Sequence, residues 1–167
     1  MGNNLRYIDE IIESVDRLSR DLSPSIVEDL GLSAGLRWLT NNFAKNYRTK
    51  VTFDIVNIDP LFSNESQIRI YRILQEALTN VGKHAQAKHV SVMIKEDESG
   101  VSFALEDDGR GFDYEQAVTR DVTEKGLGLV SMEERVRMLG GSLDLRSQEG
   151  KGTRITFTIP AKRGEIL

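Results

Sequence analysis

The sequence predicts one α/β domain behind a short helical arm, and three observations carry this. Stretches of alternating hydrophobicity are interleaved with amphipathic runs of period three to four, the length suits one ordinary core, and glycine-bearing segments mark the junctions. At 167 residues, 39% hydrophobic and 29% charged, the chain has room for one main domain and a short element outside it. The formal net charge is -4 and Lys and Arg are scattered, so no basic stripe suits a phosphate backbone and no direct nucleic-acid partner is expected. The absence of cysteine excludes disulfides and thiolate metal sites. No apolar run approaches the roughly 18 residues of a membrane span, and the N-terminus lacks a signal-peptide pattern. A cytoplasmic location is expected, with membrane attachment only through a segment of a longer parent chain.

In the arm, Ile8, Ile11, Val15, Leu18 and Leu22 follow a 3-4-3-4 spacing between charged residues, the pattern of a bundle or coiled-coil helix. Leu22-Ser23-Pro24 should end it, because the residue before proline is pushed out of the α region. Gly31 and Ser33 introduce a second helix with apolar positions Leu32, Leu36, Leu39, Phe43 and Tyr47, and Trp38 falls off this stripe. The one boundary falls around Ser23 to Ser33.

After a strand at Val51 to Val56, a turn from Asn57 to Pro60 leads to a long helix with Ser63 or Asn64 as N-cap. At roughly 100° per residue, Ile70, Ile73, Leu74, Ala77, Leu78 and Val81 share its apolar face, and Glu76, Asn80, Lys83 and His84 share an adjoining arc. The bland reading of that arc is a solvated helix face. The functional one is a carboxylate, an amide oxygen suited to magnesium, and a lysine able to pair with phosphate.

In Val101 to Asp107 the apolar residues occupy odd positions, so Asp107 shares the core face with Val101, Phe103 and Leu105. A carboxylate in that phase needs a donor, and the 6-amino group of adenine is one that guanine lacks. Asp108, out of phase, reads as a turn or surface acid. Thr153 joins Ile155, Phe157 and Ile159 in one phase of the last strand, where its hydroxyl either meets the base, directly or through water, or satisfies nearby backbone. Gly109 and Gly111 permit positive φ and close approach to a ligand. Gly126 and Gly128 are expected to precede a helix from Leu129 to Leu139, whose N-terminus would attract phosphate. The stretch from Asp113 to Lys125 is polar with little periodicity and is expected to be a mobile lid that orders over bound nucleotide. The glycine pair lacks the preceding strand and the full GxGxxG spacing of a dinucleotide fold.

Taken together these segments resemble the Bergerat-fold (GHKL) ATPases, and within them the histidine kinases. QEALTNVGKHAQAKHV resembles the N box, EDDGRGF the G1 box, GLGLVSMEERVRMLGGSL the G2 box, and GKGTRITFTIP the closing strand, over roughly Val51 to Pro160. SRDLSPSIVEDLGLSAGLRWL resembles the second dimerisation helix and linker of the kinases paired with NarL-type response regulators. The resemblance implies a two-layer α/β sandwich, a mixed sheet with helices on one face, in which 1–30 hold part of a dimerisation helix and linker and 31–167 form the catalytic domain. It implies ATP and Mg2+ as ligands, with Asn80 on the metal and Glu76 assisting phosphoryl transfer. Lys83 and His84 would lie near the phosphates, and Asp107 and Thr153 on adenine. Gly109, Gly111, Gly126, Leu127, Gly128 and Leu129 would shape the pocket. The implied partners are a response regulator and, in the full-length protein, a second copy of the chain.

Such kinases phosphorylate a histidine on the first dimerisation helix, whereas this chain has only His84 and His89, neither in an acceptor motif. A fragment that begins after the acceptor helix is therefore expected. Two other readings share the pocket. A non-catalytic nucleotide-sensing or docking module would need neither Glu76 nor Asn80, and a serine kinase of the anti-sigma type would not need the helical arm.

Overall fold

The computed structural model describes residues 7–8, 11, 14, 25–119 and 124–161, with side-chain surroundings for 7–8, 11, 14, 25–116 and 128–161. Of the expected arm, Ile8 and Ile11 are helical and exposed, while Val15, Leu18, Leu22 and the break at Pro24 lie outside the described residues. Residues 25–30 are helical, and Val27 is buried in the core. Among the described residues no helix is long and apolar enough to cross a membrane.

Helix α1 (Leu32–Tyr47) buries Leu32, Leu36, Leu39 and Phe43, the stripe its spacing predicts, and leaves Trp38 partly exposed. Its N-cap, Gly31, has φ of 85° and no side chain with which to cap the helix. The caps come from a distant segment: Asp59 Oδ1 accepts from the Ser33 amide at 2.8 Å, and Gln67 Oε1 accepts from the Leu32 amide at 3.1 Å. A Cβ on Gly31 would run into the Asp59 carboxylate, so this glycine is fixed by both its dihedral and its neighbour. Asp59→Ala is expected to lower stability by about 0.5–2 kcal/mol, the range for losing a helix cap. Urea titration followed by circular dichroism would check it.

Strand β1 (Lys50–Ile55) is followed by a single 3-10 turn at Asp59–Leu61 and by helix α2 (Asn64–Asn80). Ser63 is the α2 N-cap, its hydroxyl accepting from the Ser66 amide. Ile70, Ile73, Leu74, Ala77 and Leu78 are buried, as the period requires. Beyond Asn80 the helix widens into a π-helical turn, Val81–Ala85, and Gln86 ends it at φ of 52°.

Strands β2 (His89–Asp97) and β3 (Gly100–Asp107) form a hairpin, and β4 (Ser142–Ser147) and β5 (Thr153–Ile159) close the sheet. The strand order is β1-β2-β3-β5-β4, with β1 parallel to β2 and every other pair antiparallel, so the sheet is mixed. Period-two burial turns Val90, Val92 and Ile94 of β2, Val101, Phe103 and Leu105 of β3, and Ile155, Phe157 and Ile159 of β5 to one face. Phe103 and Phe157 are register partners and stack with centroids 4.5 Å apart.

Two expectations about the segment between β3 and β4 are corrected. The stretch in which the sequence shows little periodicity is in part helical: α3 (Tyr114–Thr119) starts where Asp113 Oδ1 accepts from the Gln116 amide, a local cap that needs no apolar repeat. Helix α4 (Glu124–Met138) begins five residues before the Leu129 start that the sequence predicts, so Gly126 and Gly128 lie inside it. Two glycines are tolerated in a helix at about 1 kcal/mol each, and close packing gives Gly128 a reason to be there. Residues 120–123 lie outside the described set.

Candidate nucleotide site

The site is assembled at one end of the sheet, where β3 ends, β5 begins and β4 ends, and where the turn after β3 meets the π turn that follows α2. Asp107 is the last residue of β3 and its register partner is Thr153, the first of β5, which in turn pairs with Ser147, the last of β4. The three share the core-facing phase of their strands. Asp107 is 3% exposed, so its carboxylate has left water almost completely. Its Oδ1 accepts from the Gly109 amide at 2.8 Å, and its Oδ2 is buried with no hydrogen-bond partner. Burial pushes this carboxyl above the ordinary aspartate range, against the opposing pull of the Gly109 and Thr153 amides. A buried acceptor left unsatisfied costs about 1–3 kcal/mol, so Oδ2 fits a donor supplied by a ligand.

Asp108 takes the other role that strand phase gives it. It is exposed, and its Oδ1 accepts from the Lys88 and His89 amides at 2.8 and 2.9 Å. The His89 amide, followed by that of Lys88, holds its carboxyl below the usual value.

Glycines let the turn after β3 press against its neighbours. A Cβ on Gly109 would strike the Ala85 carbonyl and come within 2.7 Å of Asp107 Oδ1, and the next amide, Arg110 N, donates to Ala85 O at 2.8 Å. The turn is thereby stitched to the end of the π segment. Gly111 has φ of 59° and packs on the Gln148 and Gly152 carbonyls.

Glu76 and Asn80 are half-buried on α2. Helix α4 crosses them at Gly128, where a Cβ would collide with Glu76 Oε1 and lie 3.6 Å from Asn80 Nδ2. Glu76, Asn80 and Gly128 are therefore gathered in one place, and Leu129 beside them is half-buried against the core. Gly126 and Leu127 belong to the first turn of α4, and their surroundings lie outside the described residues.

Lys83 and His84 do not follow from a continued α-helix. They sit in the π turn, where Lys83 is exposed and His84 half-buried, so the 100° projection from α2 ceases to hold after Asn80. Gly82 permits this turn to seat on α1, because a Cβ there would overlap the outer carbons of the Tyr47 ring.

Two residues of the site were not singled out from sequence. Gly152, at φ of 79°, lies so close to the Asp107 carbonyl that no side chain fits. Ser147 holds Thr153 Oγ1 at 2.8 Å and accepts from the Phe112 amide at 2.9 Å. Ser147 did carry a signal: it is in phase with Leu143 and Leu145, the same polar-in-apolar-phase pattern that marks Asp107.

The family described as Histidine kinase-, DNA gyrase B-, and HSP90-like ATPase matches residues 65–163, which include every site residue above. Among curated proteins, the chain is 34% identical over 155 residues to the signal transduction histidine-protein kinase/phosphatase DegS of Brevibacillus brevis, covering 93% of this chain and 39% of that protein. It is 35% identical over 150 residues to the oxygen sensor histidine kinase NreB of Staphylococcus carnosus, covering 90% of this chain and 42% of that protein. The chain thus spans about two fifths of the length of these relatives. In fold it is similar to the blue-light activated histidine kinase of Erythrobacter litoralis EL346, with a TM-score of 0.71 and 24% identity, over 93% of this chain and 52% of that one. It is also similar to the ATP-binding domain of PrrB from Mycobacterium tuberculosis, with a TM-score of 0.55 and 19% identity, over 74% and 89%. The mixed five-stranded sheet with its helices is the fold these domains share.

Proposed function

The chain is a member of the histidine kinase-, DNA gyrase B- and HSP90-like ATPase family, and from that premise we propose that it is the ATP-binding catalytic domain of a sensor histidine kinase. In this reading the γ-phosphoryl group of ATP passes to a histidine on a dimerisation helix and then to an aspartate of a response regulator. Residues 1–30 carry part of the dimerisation arm, through which the full-length protein pairs with a second copy, and 31–167 form the catalytic unit. The domain works in the cytoplasm, where ATP and the regulator are found. DegS and NreB, both histidine kinases by name, support the assignment.

The observation that carries the reading is the buried, unpartnered Oδ2 of Asp107 at the end of β3; Glu76 and Asn80, gathered under Gly128, supply the groups for the phosphate end. Asp107 binds the adenine amine, and Thr153 completes the contact to the base. Gly109 and Gly111 shape the floor beneath the nucleotide, and Gly126, Leu127, Gly128 and Leu129 line its phosphate side. Glu76 acts as base or orienter toward the attacking imidazole, and Lys83 and His84 lie toward the phosphates.

Among the described residues no group of three or more His, Cys, Asp or Glu side chains could hold a metal alone. Magnesium needs no such group: it is a hard ion that takes a few protein oxygens and fills its remaining positions with phosphate and water. Asn80 offers such an oxygen, and magnesium held there would neutralise charge on the phosphates. Asn80→Asp is accordingly expected to change the magnesium dependence of ATP binding while leaving metal-free affinity for adenosine nearly unaltered. Titrations with and without magnesium would check this, and the reverse pattern would remove Asn80 from the metal.

The proposal is tested by mixing the chain with a dimerisation fragment that carries an acceptor histidine, together with labelled ATP and magnesium. Label is expected on the fragment and, after addition of a receiver domain, on its aspartate. Nucleotide binding without any transfer would count against a catalytic role.

A further inference from the structure

We propose that Asp108 is a positioning residue that fixes the span between the adenine end and the phosphate end of the site. This rests on the reading of Asp107 as the adenine acid and of the π turn as lying toward the phosphates, and adds what holds the two at one separation. Asp107 ends β3, whereas Lys83 and His84 sit in the π turn before β2. Along the chain the whole β2–β3 hairpin lies between them, so chain connectivity does not set their distance. Contacts between the two segments have to do so.

The exit of the π turn needs such contacts. Gln86 leaves it at φ of 52°, a conformation uncommon for a residue other than glycine, and the residues from there to β2 are irregular. On one side this loop is tied to β1, where the Lys50 amide donates to the Lys88 carbonyl at 3.0 Å and the Thr49 hydroxyl to the Ala87 carbonyl at 3.3 Å. On the other side it is tied to the turn after β3. There the Arg110 amide donates to the Ala85 carbonyl at 2.8 Å, and Asp108 Oδ1 accepts from both the Lys88 and His89 amides at 2.8 and 2.9 Å.

Asp108 therefore carries the side-chain half of this second tie. Its acceptor is a carboxylate, and hydrogen bonds to a charged acceptor are stronger than neutral ones. It follows Asp107 directly in the chain, so movement of the loop away from Asp108 is movement of the π turn away from the adenine acid. A ligand that reaches only Asp107 does not sense that movement. One that also reaches the π turn has to reverse it on binding, and ordering the loop then weakens its affinity.

The experiment titrates the chain and its Asp108→Ala and Asp108→Asn variants with adenosine and with a non-hydrolysable ATP analogue plus magnesium. Asp108 is exposed and its own amide still pairs with the His89 carbonyl at 3.2 Å, so the alanine variant is expected to fold. Asp108→Ala is expected to bind the analogue about three- to tenfold more weakly, the span of one hydrogen bond, and to bind adenosine as the wild type does. Asp108→Asn keeps an oxygen for the two amides and should restore most of the loss, although both variants remove the charge beside Asp107. An equal loss for adenosine and the analogue, or no loss for either, would overturn the proposal and leave Asp108 as a support for the strand end. An asparagine variant as weak as the alanine one would also overturn it, since the charge and not the two bonds would then be responsible. A wild type that binds neither ligand would bring down the adenine reading, and the proposal with it.

Discussion

Asp107→Asn is expected to weaken ATP binding by about 1–3 kcal/mol, roughly five- to 150-fold, while leaving the protein at least as stable at neutral pH. The asparagine oxygen can still accept from the Gly109 amide, so the turn is kept. At the Oδ2 position, however, an amide NH2 would face the adenine amine, placing donor against donor where the wild type offers its unpartnered acceptor.

The stability half follows from the direction of the carboxyl's shift. Burial, its largest cause, raises the native value above that of the unfolded chain, so the native state holds this proton more strongly. Stability from this group is fully present below the ordinary aspartate range and is lost as pH rises through the raised native value. At neutral pH an ionised, buried Asp107 is a net cost, which asparagine does not carry. Thermal melts from pH 3 to 8 should show the variant's relative stability improving with pH, and calorimetry should show its weaker ATP binding. ATP affinity of the wild type should fall as pH drops through that same raised value. A variant that melts lower at pH 7 and binds ATP normally would reverse both halves.

Gly152→Ala is expected to be the most damaging of the glycine substitutions at the site, lowering stability by about 3 kcal/mol or more. Two effects combine. The residue sits at φ of +79°, where an L side chain costs roughly 1–2 kcal/mol. The new Cβ would also overlap the Asp107 carbonyl, coming within 2.9 Å of its carbon and 3.3 Å of Asp108 Cα. Those are backbone atoms of the β3 end, which cannot swing aside as a side chain can. Gly150 provides the internal control, since its φ is +78° and an added Cβ meets nothing within 4 Å. Gly150→Ala should therefore show the dihedral cost alone, about 1–2 kcal/mol. Urea midpoints of the two variants would separate strain from overlap, and equal losses would show that the close approach is unimportant.

What could be read in the chain depended on whether a residue's role lies within its own element. The buried face of α2 and the Ser63 cap are local consequences of helix geometry, and they appear where periodicity puts them. Strand phase alone assigned Asp107 inward and Asp108 to the turn. Roles set by contacts between distant segments were harder to see. Gly152 is required by the end of β3, Gly82 by the Tyr47 ring on α1, and Gly128 by Glu76 on α2. In sequence Gly152 and Gly82 carry no sign of these contacts, and Gly128, which the resemblance assigns to the pocket, carries no sign of its packing on Glu76.

The early start of α4 belongs to the same group. Gly126 and Gly128 disfavour a helix locally, and at Gly128 close packing on Glu76 overrides that preference. The π turn after Asn80 was illegible for a related reason: the register of Lys83 and His84 is set by contacts the helix makes beyond itself, with α1 through Gly82 and with the β3 turn through the Ala85 carbonyl.

The most direct test of the central claim, that a buried carboxylate at the sheet's end selects an adenine nucleotide, is a calorimetric titration of the chain with a non-hydrolysable ATP analogue and with its guanosine counterpart, both with magnesium. Saturable binding of one adenosine nucleotide per chain, with no measurable heat from the guanosine form, is the expected result. Equal binding of the two, or no binding of either, would contradict the account.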